Sequence, residues 1–280
     1  MATSYFTFTG ATEKRMKIGR ISYLNLFPVF YGLRKTGANY LYMDGYPAMV
    51  NGMLRRGEVD ASPSSSIVYL KNPGEFEYIE GHSITSEGPV RSILLFSQRP
   101  VETLDGSTVG VTHQTETSAA LLQIVLRKFY GLGFRPEETR LPARDAVQKF
   151  GAYLSIGDDA LLADKERLKG NGWPAGCAAY DLGAIWHEKT GLPFVFALWI
   201  ARRDWALKNH GEVERLKEAL DTAKAYATAR LEDAANASPL KDLDPAETVA
   251  YWECLHYGLD DNAKKGLELF RSYALELGLL

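Results

Sequence analysis

Cysteine is scarce in this sequence: of 280 residues only Cys177 and Cys254 carry a thiol. Two cysteines so far apart build neither a disulfide framework nor a zinc cluster, and both are expected to be reduced and mostly buried. Long hydrophobic runs are missing as well. The most apolar stretch, residues 192–201, is far shorter than the roughly 20 residues a bilayer requires, so no membrane partner is expected. Nor is there an excess of one charge. With 32 Lys and Arg against 35 Asp and Glu, the formal charge is −3, which supplies no long-range attraction for nucleic acid. An anionic ligand would need local donors. Familiar catalytic signatures are also lacking: no G-x-S-x-G, no H-E-x-x-H, no glycine-rich phosphate loop and no Cys/His metal spacing. Neither a metal nor a cofactor is expected.

What is present is an ordinary globular composition, 46% hydrophobic and 24% charged, at a length that suits two lobes. Residues 1–15 alternate Thr, Ser, Phe and Gly without an apolar signal core, which predicts a loose leader and a cytoplasmic protein. A strand over 16–22 leads to a helix from Phe27, with Pro28 in its first turn. A strand at 40–43, a helix from Pro47 to Leu54 and a strand at 59–62 follow. A short helix is then expected over 63–69. Two further strands are expected near 77–79 and 91–96, separated by Glu87-Gly88-Pro89. Gln98-Arg99-Pro100 interrupts this rhythm, which restarts with a strand at 107–112, an apolar helix at 118–129, a strand at 153–156 and a helix at 157–168. A helix at 182–188 precedes a strand at 194–200, and after Arg202 the chain is helical, with breaks at Asp244-Pro245 and Asp260.

Strands alternating with helices predict βαβ units and hence an α/β fold. The two interruptions, near 98–102 and 196–201, predict two hinge crossovers. Lobe 1 is then discontinuous, 16–98 and 200–280, and lobe 2 spans 99–199. A ligand is expected in the cleft between them.

The candidate residues stand at the carboxyl ends of expected strands, where open α/β sheets bind ligands. They are Ser22-Tyr23-Leu24-Asn25, the serines from Ser62 to Ser66, the loop from Thr112 to Ser118, and Gly157-Asp158. Hydroxyls just before a helix add donors to its unpaired first-turn N–H groups and positive dipole end, a combination suited to carboxylates. One such serine or threonine is simply an N-cap. Two hydroxyl-rich turns from opposite lobes, Ser64-Ser65 and Thr117-Ser118, aimed at one cleft favour a ligand. Of the five histidines, His82 and His113 lie on loops near the cleft, and His113 shares its loop with Thr117 and Ser118.

At these residues the sequence resembles a known family. The run from Gly19 to Asn25, then Pro28 and Tyr31-Gly32-Leu33, is similar to the opening of the chorismate dehydratases of the futalosine route to menaquinone. The similarity continues through Gly57-Glu58-Val59-Asp60, Ser64-Ser65-Ser66, Gly88-Pro89-Val90-Arg91-Ser92 and Thr117-Ser118-Ala119-Ala120. It resumes at Ile156-Gly157-Asp158-Asp159, Tyr180-Asp181-Leu182-Gly183 and the block from Thr190 to Trp199. The sister enzyme that makes dihydroxynaphthoate has a different opening, rich in Ser, Pro, Cys and Asn.

The resemblance implies a type II periplasmic-binding-protein-like fold with a helical C-terminal part. It also implies cofactor-free conversion of chorismate, a dianion, to 3-[(1-carboxyvinyl)oxy]benzoate and water. On that reading Asn25 and Ser92 orient the ring and its leaving hydroxyl. Thr117 and Ser118 hold one carboxylate, and Ser64 and Ser65 the other. Asp158 either caps its own helix or serves as base; a substrate carboxylate is the other candidate base. Tyr23, Gly157 and His113 complete the substrate-binding set, although the family pattern has small hydroxyl residues where this chain reads His113-Gln114-Thr115-Glu116. The alternative is a non-catalytic cytoplasmic binding protein or sensor for a small carboxylate anion.

Overall fold

A computed structural model describes residues 15–170 and 172–280; apart from Arg15, the leader expected over 1–15 lies outside the described residues. The strand–helix rhythm does give parallel pairing. β1 (Lys17–Ile21) pairs in parallel with β2 (Leu41–Gly45) and β3 (Ala61–Ser65), connected by α1 (Phe27–Lys35) and α2 (Pro47–Arg55). Both helices carry proline in the first turn, where its missing N–H costs no bond. α3 (Ser66–Lys71) leads to the long β4 (Phe76–Ser86). β10 (Phe194–Arg202) returns antiparallel between β3 and β4, which gives the order β2-β1-β3-β10-β4.

The second sheet has the same plan. β6 (Ser107–Thr112) runs parallel to β7 (Phe134–Thr139) and β8 (Ala152–Ile156), while β5 (Ile93–Ser97) lies antiparallel between β8 and β9 (Ala178–Asp181). The order is β7-β6-β8-β5-β9. Its helices are α4 (Thr117–Gln123), which continues as a π-helical turn over Ile124–Phe129, α5 (Ala143–Phe150), α6 (Gly157–Leu168) and α7 (Leu182–Thr190). β3, β5 and β8 are buried at every residue, as strands covered on both faces must be.

Two expectations are corrected. The chain changes sheets at residues 87–92 and 191–193, not near 98–102 and 196–201. Gln98-Arg99-Pro100 is only a turn inside the second sheet, whereas the real crossing carries the left-handed Arg91 (φ 61°) and its return follows the left-handed Gly191 (φ 68°). The expected helix over 63–69 begins at Ser66, and Pro63 lies in β3 opposite Trp199. Proline is tolerated there because β3 pairs with β1 only at Ala61, so no ladder bond is forfeited on that side.

The C-terminal helices are α8 (Arg203–Ala206), α9 (His210–Thr228), α10 (Leu231–Asn236), α11 (Pro245–Trp252) and α12 (Asp261–Glu276). The breaks expected at Asp244-Pro245 and Asp260 are helix starts: Asp244 and Glu247 form a capping box, and the Asp260 carboxylate accepts from the Ala263 N–H at 2.8 Å. One continuous apolar cluster joins Val68 and Phe194 of the first sheet's side with Leu122 and Trp186 of the second, and with Trp252 and Phe270 of these helices.

Candidate functional site

The two hydroxyl-rich turns meet, but not as helix caps. Ser64 and Ser65 end β3, with Ser64 Oγ 2.7 Å from Ser62 Oγ in a fully buried pair. Ser65 Oγ accepts from Asn51 Nδ2 at 3.2 Å, and the Ser65 N–H donates to Asn51 Oδ1 at 3.3 Å. The same Asn51 amide donates to Glu116 Oε1 at 2.8 Å, and Arg55 closes on Glu116 Oε2 at 2.7 Å. Glu116 immediately precedes α4, so α2 of the first sheet grips the start of the second sheet's helix. Thr117 Oγ1 accepts from the Ile67 N–H at 3.2 Å, supplying across the cleft a partner for an α3 first-turn donor. Ser118 is buried and its N–H donates to Thr115 Oγ1.

A second cluster surrounds the loop after β1. The Leu24 N–H donates to Asp158 Oδ1 at 2.8 Å across the cleft, and the Leu24 carbonyl accepts from Trp252 Nε1 at 2.7 Å. Asp158 therefore does not cap α6, which has no side-chain cap. Burial pushes its carboxyl up to about 6, against the Leu24 N–H that favours the charged form; neighbouring Asp159 pushes the same way as burial. The Asn25 carbonyl accepts from Tyr257 OH at 2.8 Å, while its side-chain Oδ1 is buried without a partner. Tyr251 OH donates to Ser92 Oγ at 2.9 Å, and the Ser92 carbonyl accepts from the Gly157 N–H at 2.7 Å. Tyr23 donates its hydroxyl to Gln114 and lays its ring against Gly157. Burial, reinforced by Asp159 and Asp158, raises the Tyr23 phenol and keeps it a donor.

The structure thus gathers the expected residues into two adjoining groups, Ser64, Ser65, Thr117 and Ser118 in one, Tyr23, Asn25, Ser92, Gly157 and Asp158 in the other. His113 stands at the rim, edge-on to Tyr46 with ring centres 5.5 Å apart. Gln114 and Glu116 lie in the candidate loop from Thr112 to Ser118 and take partners from the first lobe, whereas Asn51, Arg55, Tyr251 and Trp252 were not anticipated. The one available signal was Asn51, a polar residue on the buried side of the otherwise apolar α2. Among the described residues no three His, Cys, Asp or Glu side chains converge. What is assembled at the cleft is a set of mostly neutral donors and acceptors beside the Arg55–Glu116 ion pair, with the unpaired Asn25 amide oxygen and the Asp158 carboxyl of raised pKa.

Comparison with known proteins agrees with this architecture. The model of a menaquinone biosynthesis family matches residues 16–276. Chorismate dehydratase of Thermus thermophilus is 29% identical over 262 residues, covering 90% of this chain and 93% of that protein. The 1,4-dihydroxy-6-naphtoate synthase of the same organism is 30% identical over 141 residues, about half of each chain (50% and 47%). Among solved structures, a protein of Archaeoglobus fulgidus superposes with a TM-score of 0.77 at 16% identity, covering 95% of this chain and 98% of that one. The periplasmic aliphatic sulphonate binding protein of Escherichia coli superposes at 0.64 and 17% identity, covering 95% and 88%. The fold is that of the periplasmic binding proteins, and the chain, matched over nearly its whole length, belongs to the menaquinone biosynthesis family.

Proposed function

We propose that the protein is a cytoplasmic, cofactor-independent hydro-lyase that converts chorismate to 3-[(1-carboxyvinyl)oxy]benzoate and water. The end-to-end likeness to a chorismate dehydratase carries the reading, and the chemistry of the cleft supports it. The reaction breaks C3–H and C4–O and forms the C3–C4 double bond; the C4 hydroxyl leaves with a proton as water. Because the product ring is aromatic, the site has only to hold two carboxylates, accept one proton and stabilise the leaving oxygen.

Thr117 and Ser118 take one carboxylate and Ser65, with Ser64 behind it, the other. Asn25 Oδ1, unpaired in the protein alone, gains a partner in the substrate hydroxyl, and Ser92, fixed by Tyr251, aligns the ring. The proton goes to Asp158 or to a substrate carboxylate. Entry requires the cleft to part, which breaks Leu24–Asp158, Tyr23–Gln114 and the Arg55–Glu116 pair.

Incubating the purified chain with chorismate and following the aromatic product by absorbance and NMR tests the proposal. Chorismate consumed with equimolar product is expected. Saturable binding without product would instead support the binding-protein reading, which the sulphonate-binding fold favours. Asp158→Asn separates the two bases: turnover survives if the substrate is its own base.

A further inference from the structure

We infer a second ligand site, in the second sheet's lobe, for an α-amino acid with an aromatic side chain. A cavity of about 520 Å3 opens where three mutually parallel strands end. Thr112 closes β6, Thr139 closes β7, and Ser155 is the penultimate residue of β8. Carboxyl ends of parallel strands receive ligands because their loops diverge and leave a crevice. Ser64, Ser65, Ser92 and Thr117 of the main cleft do not line this crevice; His113 and Gln114 border both. Its size suits a small organic molecule.

The charges of its walls select the ligand. The turn after β7 contributes Arg140, the start of α5 contributes Arg144, and α6 contributes Asp159 and Glu166 seven residues apart, two turns along one face. Among the described residues Arg140 and Glu166 form no ion pair, Arg144 reaches only its neighbour Asp145 at 3.5 Å, and Asp159 accepts a long 3.4 Å bond from Gln114. Two guanidinium groups and two carboxylates sum to zero, so a dianion gains no net attraction. A zwitterion satisfies both walls, its carboxylate on the arginine forks and its ammonium on the acids. Leu141, Leu162 and the Trp173 ring supply the apolar surface.

Two lining nitrogens, Trp173 Nε1 and His113 Nδ1, are buried without a partner. Such groups are costly and rare. An amino-acid carboxylate gives the indole N–H its acceptor, and the ammonium can donate to the imidazole.

The inference rests on this cavity and not on the dehydratase reading, because binding is measured without turnover. Calorimetry of the full chain compares L-phenylalanine with 3-phenylpropanoate, which lacks the ammonium, and phenethylamine, which lacks the carboxylate. Phenylalanine should bind, each analogue should bind at least about ten-fold more weakly, and chorismate should not displace it. Arg140→Ala with Arg144→Ala should abolish binding at an unchanged melting temperature. If that variant does not fold, exposed Glu166→Gln should weaken phenylalanine and leave phenylpropanoate unaffected. The inference is overturned if phenylalanine, tyrosine and tryptophan give no heat at about 10 mM, if phenylpropanoate binds as well as phenylalanine, or if chorismate competes.

Discussion

Gly157 meets two constraints at once. Its φ of 62° is left-handed, and a Cβ there would stand 2.6 Å from the Tyr23 ring. Gly157→Ala is expected to cost about 1–3 kcal/mol in urea denaturation and to unseat Tyr23 from Gln114. Asn25 and Ser92 should respond differently from each other. Asn25→Ala removes an oxygen that has no partner, so the melting temperature should hold or rise while chorismate turnover drops about ten-fold or more. Ser92→Ala strands the Tyr251 hydroxyl in the core, so turnover and stability should fall together, the latter by about 1–3 kcal/mol. Lost stability with preserved turnover in Asn25→Ala would remove that residue from the site. Asn25 and Gly157 were legible because each closely follows a strand, and Ser92 because it ends the local run of residues 88–92 just before β5. Asn51–Glu116 and Ser92–Tyr251 were not, since their partners stand 65 and 159 residues apart and no local pattern links them.

Among the elements, α11 and the turn after it carry unusual weight. Tyr251, Trp252 and Tyr257 donate to Ser92, Leu24 and Asn25, so a segment without a motif of its own fixes the loop after β1 and the strand crossing at residue 92. Trp252→Phe keeps most of the ring but leaves the Leu24 carbonyl unpaired. It should cost about 1–3 kcal/mol and raise hydrogen exchange in residues 23–26, whereas unchanged exchange would mean the loop is held from elsewhere. The elements the sequence concealed share a physical cause. β7 and β9 are edge strands, β9 part-buried at every residue and β7 exposed at four of six with three charges and a proline among them, so neither shows the alternation of a half-buried strand. α5, between them, buries only Ala146 and Val147. The central strands β5, β8 and β10 announced themselves as short apolar runs, whereas β3, equally buried, is mostly serine.

At the scale of the molecule, two buried ionisable groups give stability an uneven pH dependence. Burial, aided by Lys224, pushes the His82 imidazole down to about 4, although Asp221 at 3.6 Å opposes it. Its ordinary value is about 6.5. Its contribution is complete above that pH and drains away as the pH falls towards 4. Asp158, raised to about 6 from 3.8, acts in the opposite sense: its contribution is full below 3.8 and lost as the pH rises through 6. Urea midpoints from pH 7.5 to 4 should fall more steeply for the wild type than for His82→Leu, and parallel slopes would discount the imidazole.

The strand order has a consequence for synthesis. The second sheet draws only on residues 93–181, so its five strands are all available once residue 181 has left the ribosome. The first cannot close then, because β4 is joined to β3 only through β10, which ends at Arg202. For the time needed to translate those 21 further residues, about 1–4 seconds at usual elongation rates, the nascent chain holds a lobe ready to form beside an open-edged one. The later segment completes the earlier lobe, and the sheet from the middle of the chain is the first whose strands are all present.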